Sequence, residues 1–166
     1  MFDTFSMRSR QVMFVARLKA GERGARMIEV EDLLAALVLE DQGMSEKIFS
    51  NSLGLGDGDA LVSKVPSHLP FFPPEIAEHL LSRIKDMMPQ SDPVGLTDEI
   101  PVSAALGSLF DSANQIHAQF QGSQMEPLLL LAAIATQPST ESTELLSECG
   151  ITPESVFAKL RETTGN

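Results

Sequence analysis

Leu33-Leu34-Ala35-Ala36-Leu37 and Leu130-Leu131-Ala132-Ala133-Ile134 lie 97 positions apart and carry the same residue classes in the same order. The offset extends outward from this pair without a gap from about residue 5 to residue 49. Phe5 meets Val102, Ser6 meets Ser103, Met13 meets Phe110 and Ala16 meets Ala113. Ile28-Glu29 meets Met125-Glu126, and Ile48-Phe49-Ser50 meets Leu145-Leu146-Ser147. It then slips to 96 at Gly54/Gly150 and to 95, where Leu61–Val65 meets Val156–Leu160. A tandem repeat of this length marks a fold built by duplication, so each half can be read against the other.

The repeated pattern is helical. Ser6 is placed to cap a first helix, and Phe5, Ser9, Val12, Met13, Ala16 and Ala20 recur at three- and four-residue spacing to form its buried stripe. Gly21 to Gly24 should end it. A second helix, about Val30 to Glu40, is apolar on Leu33, Leu34, Leu37 and Val38, and Gly43 breaks it. Shorter helices are expected over about Ser45–Ser52 and Asp59–Val65. In the second half, Ser103 caps a helix carrying Leu106, Leu109, Phe110, Ala113, Ile116 and Phe120. Pro127 suits the first turn of the next helix, and two further helices follow at about Glu141–Cys149 and from Thr152-Pro153-Glu154. Between the halves, Pro66, Pro70, Pro73 and Pro74 fix an irregular approach to an amphipathic helix with Ile76, Leu80, Leu81, Ile84 and Met87-Met88 on one side. No segment alternates with period two for long. The expectation is one all-α domain over 1–166: repeat 1 over 1–65, a Pro-rich linker over 66–99 with a helix at 74–88, and repeat 2 over 100–166.

Composition narrows the function classes. The chain has 166 residues, enough to bury roughly 70% of its unfolded surface. Its net charge of −11, from 12 Lys+Arg against 23 Asp+Glu, opposes nucleic-acid and anionic-membrane binding. Six of the cations fall between Arg8 and Arg26, and none lies between Lys85 and Lys159. The basic stretch reads either as an ordinary solvated helix face or as a surface for an acidic partner. A single Cys149 excludes an internal disulfide and a cysteine metal cluster. With no signal-type apolar core in residues 1–20 and no apolar run of 18 residues, a soluble cytoplasmic protein is expected.

Motifs for chemistry are absent from the sequence. No Gly-Lys pair exists to build a phosphate-binding loop, and Gly54-Leu55-Gly56-Asp57-Gly58-Asp59 has neither dinucleotide nor EF-hand spacing. His68, His79 and His117 have no close partner at metal-ligand spacing. A non-enzymatic protein without cofactor or metal is expected.

Phe5-Ser6-Met7-Arg8-Ser9-Arg10-Gln11-Val12, then Ala16, Ala20, Gly24, Ile28 and Glu31-Asp32-Leu33-Leu34, followed by Leu53-Gly54, resembles the N-terminal domain of Clp-type AAA+ unfoldases. From Ile100-Pro101-Val102-Ser103 onward the chain is similar to the second copy of the same motif, more weakly. The resemblance implies eight helices in two four-helix repeats related by a pseudo-twofold axis, here with the linker helix added. It also implies a docking module without catalytic activity, whose partners are a Clp ATPase, a Clp protease subunit, an adaptor or a substrate polypeptide. No ATPase modules follow in this sequence, so a stand-alone module is expected.

Some members of the family bind phosphoarginine, with a Ser or Thr at the first helix's start on the phosphate and the Glu of the second motif on the guanidinium. The resemblance carries those roles to Ser6 and Glu31 in repeat 1 and to Ser103 in repeat 2, where Leu128 replaces the Glu. The family's His is Asp32 here. A competing reading makes Ser6 a plain helix cap and Glu31 a first-turn residue favoured by the helix dipole. The candidate ligand- or partner-binding residues are therefore Ser6, Arg8, Arg10, Glu31 and Ser103. They serve either protein docking or, alternatively, a small-ligand sensor for a phosphoarginine-like group in repeat 1.

Overall fold

Short backbone pairings between the two halves set the frame of the molecule. In the computed structural model, which describes residues 4–45, 48, 70–95, 98–120, 124–138 and 140–163, Phe5 pairs in parallel with Met125, and Ile28 pairs in parallel with Val102. Each is the image of the other under exchange of positions 97 apart. The hydrogen bonds follow the same rule: Ser6 N donates to Met125 O (3.1 Å) as Ser103 N donates to Ile28 O (3.0 Å), and Met125 N donates to Thr4 O as Ile28 N donates to Pro101 O, both at 2.8 Å. The halves are thus related by a pseudo-twofold, and each supplies what the other lacks, as in a self-complementary dimer interface.

Seven helices are present among the described residues, and no strand: α1 Met7–Glu22, α2 Val30–Asp41, α3 Pro74–Met87, α4 Ala104–His117, α5 Pro127–Ala135, α6 Glu141–Glu148 and α7 Pro153–Thr163. The all-α expectation holds. The helices expected over about Ser45–Ser52 and Asp59–Val65, and the Gly54–Asp59 stretch, lie outside the described residues apart from Ser45 and Ile48. No helix among the described residues is long and apolar enough to cross a membrane.

The two apolar motifs form the centre. α2 and α5 pack on each other; α1 and α3 lie against α2, while α4, α6 and α7 lie against α5. Both central helices are buried around most of their circumference, which explains why their sequences lack a polar face. α1 and α4 also cross to the other half's central helix, α1 to α5 and α4 to α2, again as twofold images. Phe5 packs edge-on against Phe110 of α4, with ring centroids 6.0 Å apart. The images of that pair, Val102 and Met13, are partly buried against the same core.

Local chemistry ends the elements where the sequence directs. Ser6 Oγ accepts from Ser9 N and Ser103 Oγ accepts from Leu106 N, both at 3.1 Å, so the two caps are equivalent. Gly24 sits at φ +73°, and a Cβ there would collide with Asp92 O and with the Ser91 backbone. The chain leaving α3 runs over this glycine, with Ser91 N on Arg23 O (2.7 Å) and Val94 N on Gly21 O (2.8 Å).

α3 is attached by an anchor that spacing arguments did not reveal. The Asp41 carboxylate at the end of α2 accepts from Phe71 N (2.7 Å) and Phe72 N (2.9 Å), while Gln42 Nε2 donates to Phe72 O (2.9 Å). Phe72 is buried, and Leu80 and Ile84 of α3 join the core with Ile76 partly buried beside them, as the amphipathic pattern anticipated. Asp41→Ala would leave two amide donors without their acceptor. We expect it to lower stability by about 2–4 kcal/mol in urea unfolding with an unchanged m-value. Glu75→Ala in the exposed first turn of α3 should cost no more than about 0.5 kcal/mol.

Candidate functional site

Ser6 and Ser103 are the N-caps of α1 and α4, buried at the cross-half pairings. Because Ser103 bonds to Ile28 through its backbone, it belongs to the N-terminal end of α2, the end that carries Glu31. Ser6 bonds to Met125 and belongs to the N-terminal end of α5, the end that carries Leu128. Two residues beyond Ser6, Arg8 reaches the other end of α2: its Nε and Nη2 donate to the two Glu40 carboxylate oxygens, each at 2.8 Å. Glu31 and Glu40 are nine residues apart on one helix, about 14 Å at 1.5 Å per residue. Ser6, which the resemblance groups with Glu31, is bonded at the start of α5, while Ser103 is bonded at the start of α2. The duplication pairs each first-helix cap with the other half's second helix.

The charged residues of repeat 1 are largely committed to the fold. Glu40 is only 3% exposed. Burial works against the charged Arg8 guanidinium, but the hydrogen bonds and charge of Glu40, with Glu126 and Asp41 nearby, outweigh it and raise its pKa. Asp32, where the family pattern has His, is 3% exposed and holds Arg23 in a bidentate pair at 2.9 and 2.7 Å. The hydrogen bonds to Asp32 raise the Arg23 pKa against partial burial. A second contact of Asp32, from Glu29 N at 2.9 Å, closes the N-terminus of α2. Arg17 Nη2 donates to Gly95 O (2.8 Å) and to Asp98 O. Arg10 is exposed on α1. The basic stretch is thus neither a uniform solvated face nor a uniform docking surface, because Arg8, Arg17 and Arg23 hold structural contacts.

Glu31 has a structural contact as well. Ser142 Oγ of α6, itself wholly buried, donates to Glu31 Oε2 at 2.9 Å and so joins the second half to the start of α2. The images of Ser142 and Glu31 are Ser45 and Leu128. Leucine offers no acceptor, and Ser45 Oγ is buried without a hydrogen-bond partner among the described residues. The twofold counterpart of the Ser142–Glu31 hydrogen bond is thus absent among the described residues.

A cleft of about 420 Å³ opens between the C-terminal end of α1, α2 and α3, with Ala35, Leu39, Leu81, Ile84 and Met88 among its walls and Lys19 and Lys85 at its sides. No sequence motif marks it, since its walls come from segments about 50 positions apart. The amphipathic pattern of α3 was the one available signal. Among the described residues no group of three or more His, Cys, Asp or Glu is placed to hold a metal ion. Burial, with Glu148 adjacent, pushes the Cys149 thiol up, which disfavours the nucleophilic thiolate.

The unequal serines give a direct comparison. Ser142→Ala should cost about 1 kcal/mol by stripping Glu31 of its donor, whereas Ser45→Ala should be neutral or stabilising, because its hydroxyl has no bond to lose among the described residues. Denaturant unfolding of both variants measures the difference.

Residues 4–149 match the Clp repeat (R) N-terminal domain family. No curated protein sequence matches the chain. Among solved structures, the Hsp104 N-terminal domain from Candida albicans superposes with a TM-score of 0.60 at 18% identity, covering 97% of this chain and 91% of that one. The N-terminal domain of the caseinolytic protease-associated chaperone ClpD from Arabidopsis thaliana gives 0.60 at 16% identity, covering 96% and 99%. A chain from a malarial protein secretion system gives 0.69 at 15% identity, covering 97% and 95%. At these identities the structures establish a shared fold, and the sequence match establishes the family: this chain belongs to the Clp repeat N-terminal domain family.

Proposed function

We propose that the protein is a non-catalytic, protein-binding module of the Clp system, docking an adaptor, a substrate polypeptide or a Clp subunit during regulated protein unfolding or proteolysis. The observation that carries this reading is the match of residues 4–149 to the family, spanning both repeats. The geometry supports it. Polar motif residues Ser6, Ser103, Glu31 and Asp32 are used to cap helices and to join elements. What the protein presents outward on its first half is a mixture of apolar and cationic side chains, including Met7, Arg10, Phe14 and Met27. Aromatic, Met and Arg side chains are enriched in protein interfaces. The image positions of Met7, Arg10 and Phe14 on α4 are Ala104, Gly107 and Asp111, so the two sides of the twofold offer different surfaces. A net charge of −11 favours protein partners over nucleic acid or anionic membrane, and a cytoplasmic setting fits the single unpaired cysteine.

Biolayer interferometry with the immobilised full chain tests the reading against three analytes: a Clp ATPase ring, a Clp protease core, and a reduced, carboxymethylated polypeptide. Association with at least one at micromolar concentration is expected. Absence of binding to all three would overturn the assignment.

A further inference from the structure

The cleft beside α3 is a second feature of the surface, and its chemistry is specific. Its volume of about 420 Å³ falls in the range of roughly 300–1,000 Å³ that holds small ligands or a few inserted side chains. Leu39 and Ile84 form buried floor, and Leu81 and Met88 are half-buried walls, so an apolar group entering it would displace water from apolar surface. Charge is arranged around that floor. Asp32 is matched by the bidentate Arg23, which leaves Lys19 and Lys85 against one exposed carboxylate, Glu22. Lys19 meets Glu22 only at 3.4 Å in a solvent-exposed pair, a weak contact. Lys85 is exposed and has no hydrogen bond or ion pair among the described residues. In a chain of net charge −11, the cleft is therefore a locally cationic place.

Two helix C-termini end nearby, and exposed carbonyls there would repel an anion. At the end of α1 the carbonyls are largely engaged: Lys19 O accepts from Arg23 N, Ala20 O from Ala25 N, Gly21 O from Gly24 N and Val94 N, and Arg23 O from Ser91 N; at the end of α3, Ile84 O accepts from Met88 N. A carboxylate at the mouth would meet the lysines.

We propose that this cleft receives a segment of a partner polypeptide whose apolar side chains fill the floor of Leu39, Leu81 and Ile84 and whose flanking carboxylates pair with Lys85 and Lys19. The proposal rests on the reading of the chain as a protein-binding module and assigns that function a place and a preferred partner chemistry. Because the lysines lie at the rim, they would contribute salt-dependent association and discrimination against cationic segments.

The test uses the full chain and two fluorescein-labelled synthetic peptides, each with Leu at i, i+3 and i+7, one flanked by Glu and the other by Lys. Fluorescence anisotropy reads affinity, and methyl NMR reads location. The Glu peptide is expected to bind and to shift the methyls of Leu39, Leu81 and Ile84. Lys85→Glu should weaken it about tenfold, the loss of one charge-assisted contact. Leu81→Asp should weaken it at least as much, and thermal melts would confirm that both variants fold. Equal binding of the Lys peptide, or methyl shifts confined to another surface, would overturn the proposal. A carboxymethylated polypeptide separates the two levels. If it binds equally to wild type and Lys85→Glu, the cleft assignment fails and the protein-binding reading stands. If neither it nor either peptide binds, the cleft assignment fails, and the protein-binding reading falls with it only if the Clp ATPase ring and the Clp protease core fail to bind as well.

Discussion

The reciprocal backbone pairing of Phe5 with Met125 and Ile28 with Val102 is the constraint on which the other features depend. It fixes where α1 and α4 start, because the capping serines are the residues whose amides close the pairing. It brings the starts of α2 and α5 against the opposite halves and lets the two apolar helices share one core. Neither half has this arrangement alone. The amides of Ser6 and Ser103 find acceptors only across the pseudo-twofold, and a buried amide without an acceptor is costly. A duplicated chain joined this way is a single cooperative body.

Charge reinforces that body. Arg8 with Glu40 ties the start of α1 to the end of α2, and Arg23 with Asp32 ties the end of α1 to the start of α2. The two antiparallel helices are thereby clamped at both ends. Removing one partner of such a pair leaves a buried charge uncompensated, commonly at a cost of about 3–5 kcal/mol. The pairs consequently hold α1 in one register, and their arginines are not available to a partner in the way Arg10 and Lys85 are. Asp41 extends the same device to α3 by binding backbone amides of the segment that leads into it.

Local and periodic features of this fold were legible in the sequence. The caps at Ser6 and Ser103, the glycine stops, the stripes of α1 and α4, the amphipathic face of α3 and the doubled apolar helix all follow from spacing and residue type. The relation between the halves was legible only in part. The 97-residue offset implied a duplication and the family resemblance a twofold, but neither showed that each first-helix cap bonds at the start of the other half's second helix. Contacts between residues distant in sequence, such as Glu31 with Ser142 and Arg8 with Glu40, left no periodic trace. The cleft was invisible for the same reason, since apolar residues of α2 and α3 become its walls only once α3 is packed on α2.

Native-state amide hydrogen exchange at Ser6, Ile28, Ser103 and Met125 measures the central interlock directly. If these four amides close two halves into one cooperative body, all four should exchange only through global unfolding, with one common opening free energy equal to that from denaturant unfolding. Exchange of Ser6 and Met125 at a much lower opening free energy than Ile28 and Ser103 would show two separable pairings and contradict the account.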